Sequence, residues 1–271
     1  EITWVTGVQT CALPISVTLT TRSLRLRSHP GETALPGGRY EAHDPSVEAT
    51  AVRSLAYSPN DPATNVTSGP QLREANEEVG LPTDPTTLFH LTNLPAYTSR
   101  TMLVVIPSVY LLLTTPAEPL LDALVPNPDE VDAIFHLPLL SFLMIPPPTD
   151  PPKARSKATP DAPGAEILVH TSEDLVWLED RLYRLHHFAH PSAPSPVWGL
   201  TADIVVSVAL VAKYGLSAEA EQAETGETTL GYGRWAERQM KWSEIVALAM
   251  KGEGRNGLVD RKKSDQRTSA T

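Results

Sequence analysis

Cysteine is nearly absent: the 271 residues contain one, Cys11. A lone thiol closes no intrachain disulfide and builds no thiolate metal site, which suits an intracellular protein. Basic residues are in deficit as well, with 22 Lys and Arg against 32 Asp and Glu, for a formal net charge of −10. That balance argues against a nucleic-acid partner held by bulk electrostatics. Long apolar runs are missing too. The longest, Met102 to Leu113, is interrupted by Pro107 and falls short of the roughly 20 residues that a bilayer span requires, so no membrane span is expected. The final Ser269-Ala270-Thr271 is not an S-K-L-type peroxisomal address.

Proline, by contrast, is plentiful, at 26 residues, and it clusters. Residues 146–163 (PPPTDPPKARSKATPDAP) read as an extended, low-complexity insertion. Residues 1–16 show neither helical nor strand periodicity. Val5 to Ile15, VTGVQTCALPI, matches the in-frame translation of a sequencing-adapter oligonucleotide, so this segment is read as non-native and set apart from the fold, Cys11 with it. The remaining length suits one sizeable domain, placed at 17–215. Residues 216–271 read as an extension, with an amphipathic helix near Arg234 to Lys251 carrying Trp235, Met240, Trp242, Ile245 and Leu248, and a disordered tail.

The chain is organised around Leu72 to Leu81, LREANEEVGL. As a helix, this stretch sets Glu74 and Glu78 one turn apart and Glu77 beside Glu74, so three carboxylates share an edge. Like charges at those spacings repel unless a cation lies between them, and hard divalent ions such as Mg²⁺ or Mn²⁺ take oxygen ligands of this kind. Gly80 is placed to end the helix. The same spacing also fits a solvated acidic helix face.

The pattern Arg73-Glu74, Glu77-Glu78 and Gly80-Leu81 resembles the core of the Nudix box, with Ala75 where a larger aliphatic is common. Leu35-Pro36-Gly37-Gly38 resembles the loop that precedes the Nudix helix. Asp44, Leu19-Thr20-Thr21-Arg22-Ser23, the run Leu26 to Glu32 and Val197-Trp198-Gly199-Leu200-Thr201-Ala202 resemble the coenzyme A diphosphatase branch of that family. Asn127 to Leu139, NPDEVDAIFHLPL, resembles a later family segment whose carboxylate reaches the metal site in many members. The implied fold is α+β, a mixed β-sheet between helices. Val17 to Arg22 would be a strand whose preceding partner, the first of the fold, is missing.

One spacing departs from the family. Twenty residues, Val52 to Gln71, separate Ala51 from Leu72, and they include Pro59, Pro62, Gly69 and Pro70. Prolines at that density interrupt a helix, each interior one at about 3 kcal/mol. Without them the text reads HDPSVEATALREANEEVGL. The insert can be encoded to begin GTNAG (Val52-Arg53) and to finish CAG (Gln71), with Thr64-Asn65 as ACTAAC, which fits a translated retained intron; a surface insertion is the alternative.

Further along, Leu88 to Leu94 reads as a strand and Met102 to Thr114 as a buried strand with a bulge or edge at Pro107. Ile167 to His170 resumes a strand pattern that Val176 to Leu185 continues, and Ala202 to Lys213 reads as a closing helix that stops at Gly215. His186, His187 and His190 read as partly buried strand or loop residues rather than a metal site.

The resemblance implies metal-dependent hydrolysis of the diphosphate of coenzyme A or acyl-CoA to 3′,5′-ADP and (acyl-)phosphopantetheine. It implies Glu74, Glu77 and Glu78 as Mg²⁺ or Mn²⁺ ligands, catalytic roles among Glu77, Glu74 and Glu130, and a peroxisomal or mitochondrial site of action. The cations Arg22, Arg25, Arg27 and His29 fall within eight residues. They fit either an exposed basic turn or a phosphate-binding loop, in which Arg22, Arg27 and His29 meet the substrate together with Gly37 and Gly38. Arg73 and Gly80 are structural, Arg73 by an ion pair that orients Glu77. The alternatives are hydrolysis of another nucleoside diphosphate, such as ADP-ribose, or an inactive Nudix-like domain.

Overall fold

The computed structural model describes residues 15–38, 70–84, 86–113, 118–143, 168–177, 182–214 and 242–251. The expectations for Cys11, Asp44, residues 52–69 of the insert, 146–163 and the tail beyond 251 lie outside the described residues. Strands and helices intermix along the chain, as an α+β protein requires. In order they are β1 (Ser16–Arg22), β2 (Thr33–Ala34), α1 (Pro70–Val79), β3 (Leu88–Asn93), β4 (Tyr97–Thr98), β5 (Val104–Val105), β6 (Ser108–Leu112), α2 (Glu118–Asp122), β7 (Val131–Pro138), a 3₁₀ turn (Leu139–Leu143), β8 (Val169–Val176), β9 (Leu182–Ala189), β10 (Val197–Trp198), α3 (Gly199–Tyr214) and α4 (Trp242–Met250).

The β-branched run at the start of β1 makes it the middle of a three-stranded antiparallel sheet, β2–β1–β7. Its register with β7 runs from Ser16↔Pro138 to Arg22↔Val131 and slips between Thr21 and Arg22. That irregularity falls where the chain leaves the sheet for the loop beside α1. A second sheet, β10–β9–β8, and the pairs β3–β6 and β4–β5 complete the strands. Every pairing among the described residues is antiparallel.

Helix α3 explains why the two larger sheets meet. Ala202, Val205, Val206, Ala209 and Leu210 recur at three- and four-residue spacing and are all buried. They pack with Leu19 of β1, Leu137 of β7, Phe142 of the 3₁₀ turn and Phe188 of β9. Phe142 and Phe188 meet edge to face at 5.0 Å, and burying side chains of this size stabilises by about 1.5–3 kcal/mol each. Polar residues on the same helix are matched rather than excluded. Tyr97 donates to Ser207 Oγ at 2.6 Å, Ser207 donates to the Asp203 carbonyl at 2.9 Å, and the Tyr183 hydroxyl donates to Asp203 Oδ2.

Two elements differ from expectation, and a third forms within its expected span. Met102 to Thr114 is not one buried strand: it divides at Ile106-Pro107 into β5, paired with β4, and β6, paired with β3. Pro107 has no N–H for a ladder, and its carbonyl instead accepts from Leu94 N at 2.8 Å. The strands expected at 167–170 and 176–185 are the antiparallel pair β8 and β9, with Val176 facing Leu182, so the second expected span holds the end of β8 and the start of β9. Helix α4 packs on the folded domain, where Ile245 and Leu248 join Trp177, Tyr183, Leu185, Met102 and Trp198.

Candidate functional site

Helix α1 begins at Pro70, within the last two residues of the expected insert; a proline is tolerated there because the first helical N–H has no intrahelical partner. Its inner face is Ala75, Glu78 and Val79, all buried, at the spacing of one helical stripe. Asn76 and Glu77 point to solvent. The helix thus divides its carboxylates: Glu78 goes in, Glu77 goes out, and Glu74 sits between them with 18% of its side chain exposed.

The C-terminal end is closed twice. Gly80 takes φ 70°, which favours glycine, and its N–H bonds the Asn76 carbonyl at 2.8 Å, while Leu81 N reaches the Ala75 carbonyl. The last two carbonyls of the helix are taken by a distant loop: Val125 N donates to Val79 O at 3.1 Å and Asn127 N to Glu78 O at 2.8 Å. Asn127 also accepts from Glu130 N and Val131 N, forming the turn that leads into β7. The exposed Glu130 is thereby held beside α1, and its carbonyl accepts from Ser23 N at 2.9 Å, so the loop after β1 is bonded into the same cluster.

From β2 the chain runs straight into Leu35-Pro36-Gly37-Gly38, which lies against the helix. Gly37 N donates to Glu78 Oε2 at 3.0 Å. Gly38 approaches so closely that a Cβ there would occupy the place of the Glu74 side chain. Burial is the main cause that pushes the Glu78 carboxyl up from 4.5 to about 7; the negative charges of Glu130 and Glu74 add to it, and the Gly37 N–H and the Arg22 guanidinium oppose it. Arg22 therefore lies in the field of Glu78.

Arg73 bonds both of its acidic neighbours, with Nη2 to Glu74 at 2.8 Å and Nη1 to Glu77 at 3.1–3.2 Å. Arg27 is exposed, Arg25 pairs with Asp129 at 3.3 Å, and His29 Nδ1 lies 2.9 Å from Glu32 Oε2. The three histidines disperse. His186 is 2% exposed and bonds His170 at 2.9 Å, His187 stacks on Trp198, and His190 meets Ser192. Among the described residues, no group of three or more His, Cys, Asp or Glu is gathered as a ready metal site. Glu78 lies in the field of the Glu74 and Glu130 carboxylates, and oxygen ligands of this kind suit a hard divalent ion. Sequence reasoning placed Ser23 and Asn127 only as members of family-like runs; that their backbone bonds join the loops could not be read from it.

The α+β chain closes a carboxylate-bearing helix against a Gly-Gly loop, and comparison with known proteins gives its class: the chain belongs to the Nudix hydrolase family. It is 30% identical to the Nudix hydrolase NudL of Escherichia fergusonii over 192 residues, covering 71% of this chain and 72% of that one. It is also 30% identical to mitochondrial Nudix hydrolase 15 of Arabidopsis thaliana over 200 residues, 73% of this chain and 53% of the plant protein. The peroxisomal coenzyme A diphosphatase ndx-8 of Caenorhabditis elegans is 30% identical over 202 residues, 73% of this chain and 63% of the worm protein. The chain spans about half the length of the plant relatives it matches. No family model matches it. Among the described residues no helix is long and apolar enough to cross a membrane.

Proposed function

We propose that the protein hydrolyses the diphosphate bond of coenzyme A or acyl-CoA, with Mg²⁺ or Mn²⁺, releasing 3′,5′-ADP and (acyl-)phosphopantetheine. The observation that carries this reading is the buried Glu78, clasped by the Gly37 N–H and crowded by Glu74 and Glu130. The finer architecture we assign is the Nudix fold, a sheet between helices, with the 52–71 insert running into the first two residues of its helix; the mixed sheet expected for it differs from the described strands, whose pairings are all antiparallel. The match to a peroxisomal coenzyme A diphosphatase supports the substrate, and relatives named as mitochondrial, chloroplastic and peroxisomal support an organellar location.

When bound, the divalent ion neutralises diphosphate oxygens and acidifies a water. Glu74, Glu77 and Glu78 are its assigned ligands. Glu78 and Glu74 already face the Gly37-Gly38 loop, and Glu77 would join them on release from Arg73. Glu130, exposed at the rim, is the assigned proton acceptor, with Glu77 and Glu74 as the other groups able to take that proton. Arg22, Arg27 and His29 line the loop that meets the phosphates, where a guanidinium fork matches phosphate oxygens. The backbone of Gly37 and Gly38 allows close approach of the diphosphate.

The test is product analysis after incubation of coenzyme A with Mg²⁺ or Mn²⁺. Release of 3′,5′-ADP, abolished by Glu77→Gln and by Glu78→Gln, supports the assignment. Cleavage of ADP-ribose with coenzyme A left intact would move the substrate elsewhere in the family. Deleting Val52 to Gln71 is expected to raise turnover strongly, and equal turnover with and without the segment would overturn that expectation.

A further inference from the structure

Behind the Gly37-Gly38 loop lies a group of hydroxyls that the proposed chemistry does not use. Strand β2 is two residues long, Thr33 and Ala34, at the edge of its sheet, and the chain that leaves it reaches Gly37 three residues later. So short an edge strand offers few ladder bonds of its own. It is held from outside the sheet instead. Thr33 Oγ1 donates to the Ser195 carbonyl at 3.2 Å and lies 2.7 Å from Ser195 Oγ, and Thr21 Oγ1 of β1 lies 3.2 Å from the same Ser195 Oγ. A hydroxyl has one proton to donate. Thr33 gives its own to the Ser195 carbonyl, so Ser195 donates to Thr33 and Thr21 donates to Ser195. Thr201, in the first turn of α3, donates to the Thr33 carbonyl at 3.2 Å, and Leu35, two residues further on, packs into both cores to which α3 contributes. Ser195 itself is a stiff post. It stands between Pro194 and Pro196 in the loop from β9 to β10, where fixed φ angles restrict the chain, and Ala193 of that loop packs on the core around Phe188.

We propose that Ser195 is a positioning residue for the Gly37-Gly38 loop: by holding Thr33 it sets where the Gly37 N–H meets the Glu78 carboxylate, and it does so from a loop that carries none of the assigned site residues. Thr21 and Thr33 are buried, so a hydroxyl lost at 195 leaves their polar groups short of a partner that water does not readily replace. The strain passes along three residues to Gly37, whose N–H is bonded to Glu78 Oε2. The consequence for metal binding rests on the reading of Glu78 as a ligand; the placement of the loop does not.

The measurement is amide hydrogen exchange at Gly37 in the metal-free full chain, read by NMR, beside Mn²⁺ affinity by calorimetry, for the parent, Ser195→Ala, Ser195→Thr and Asp174→Asn. In Ser195→Ala the Gly37 amide should exchange about tenfold faster and Mn²⁺ should bind about fivefold more weakly. Ser195→Thr keeps the hydroxyl and should bring both back to within about twofold of the parent. Asp174→Asn loosens the β8–β9 pair and should leave both readouts unchanged; equal shifts there would reduce Ser195 to a general stabiliser and overturn the proposal. Should Ser195→Ala not fold, Thr201→Val removes the other bond to Thr33 and is expected to move both readouts in the same direction. Gly37 exchange that stays at the parent rate in Ser195→Ala, or in Thr201→Val where that variant stands in, overturns the proposal. Faster Gly37 exchange in a protein whose parent binds no Mn²⁺ upholds the positioning role and overturns the metal-ligand reading of Glu78.

Discussion

Two regions of the molecule bury ionisable groups, and they treat them in opposite ways. Around α1, Glu78 is buried with two further carboxylates in its field, and its proton is held up to about pH 7. On the β8–β9 hairpin, Arg184 forks onto Asp174, with Nε to Oδ1 at 2.7 Å and Nη2 to Oδ2 at 2.9 Å, and that hydrogen bonding holds the Asp174 carboxyl below its usual range. Beside this pair His170 bonds His186, and burial, reinforced by His187 and Arg184, lowers His170 to about 4. The hairpin satisfies its polar groups from within. The α1 region leaves negative charge crowded, which is what an incoming cation can relieve.

The contrast can be broken one residue at a time. The largest effect is expected from Glu78→Gln. A carboxyl whose folded pKa is raised favours the folded state while it is protonated, so the metal-free protein loses that stabilisation as pH climbs from about 4.5 to about 7. Glu78→Gln removes this slope and should be more stable at pH 8 by about 3 kcal/mol in denaturant unfolding; an unchanged midpoint would mean that Glu78 is solvated. His170 works in the other direction. Its lowered pKa gives stability that is complete above 6.5 and is lost as pH falls towards 4. His170→Gln should flatten that acid limb, an effect of about 1–2 kcal/mol once partial exposure is allowed for. The two slopes oppose each other over most of the same window, so the parent protein shows a shallow profile and each variant exposes the other's trend. Asp174→Asn should cost about 1 kcal/mol at pH 7, because the fork becomes a neutral contact, and nothing below the folded pKa of Asp174, where the parent carboxyl is protonated too. Gly80→Ala should cost about 1 kcal/mol through the positive φ, with no change in pH dependence. A pH-dependent loss there would mean that the helix end and the Glu78 environment move together.

Much of this arrangement is legible in the sequence because it is local. Helical spacing identifies Glu74, Glu77 and Glu78 as neighbours, Gly80 as the stop, and Ala202 to Leu210 as a buried stripe. Spacing does not say which carboxylate turns inward, because Glu77 and Glu78 differ by a 100° rotation and the choice belongs to the loop that docks on the helix. Here Gly37 and Gly38 select Glu78 and Glu74. The division of Met102 to Thr114 escaped for the same reason: an apolar run shows hydrophobicity, whereas strand pairing is decided by partners outside the run, here β3, β4 and Leu94 just upstream of it. The burial of His186 inside a Phe142–Phe188 neighbourhood likewise follows from which face of β9 meets the 3₁₀ turn.

The carbonyls of Glu78 and Val79, held by the N–H groups of Asn127 and Val125, fix the register of Glu78 against Glu130 from the C-terminal end of α1. Length added or removed upstream of Pro70 does not pass through that joint. For a gene, this makes the stretch from Glu78 to Glu130 a unit that must be inherited whole, whereas length changed ahead of the helix acts on how the Gly37-Gly38 loop meets it.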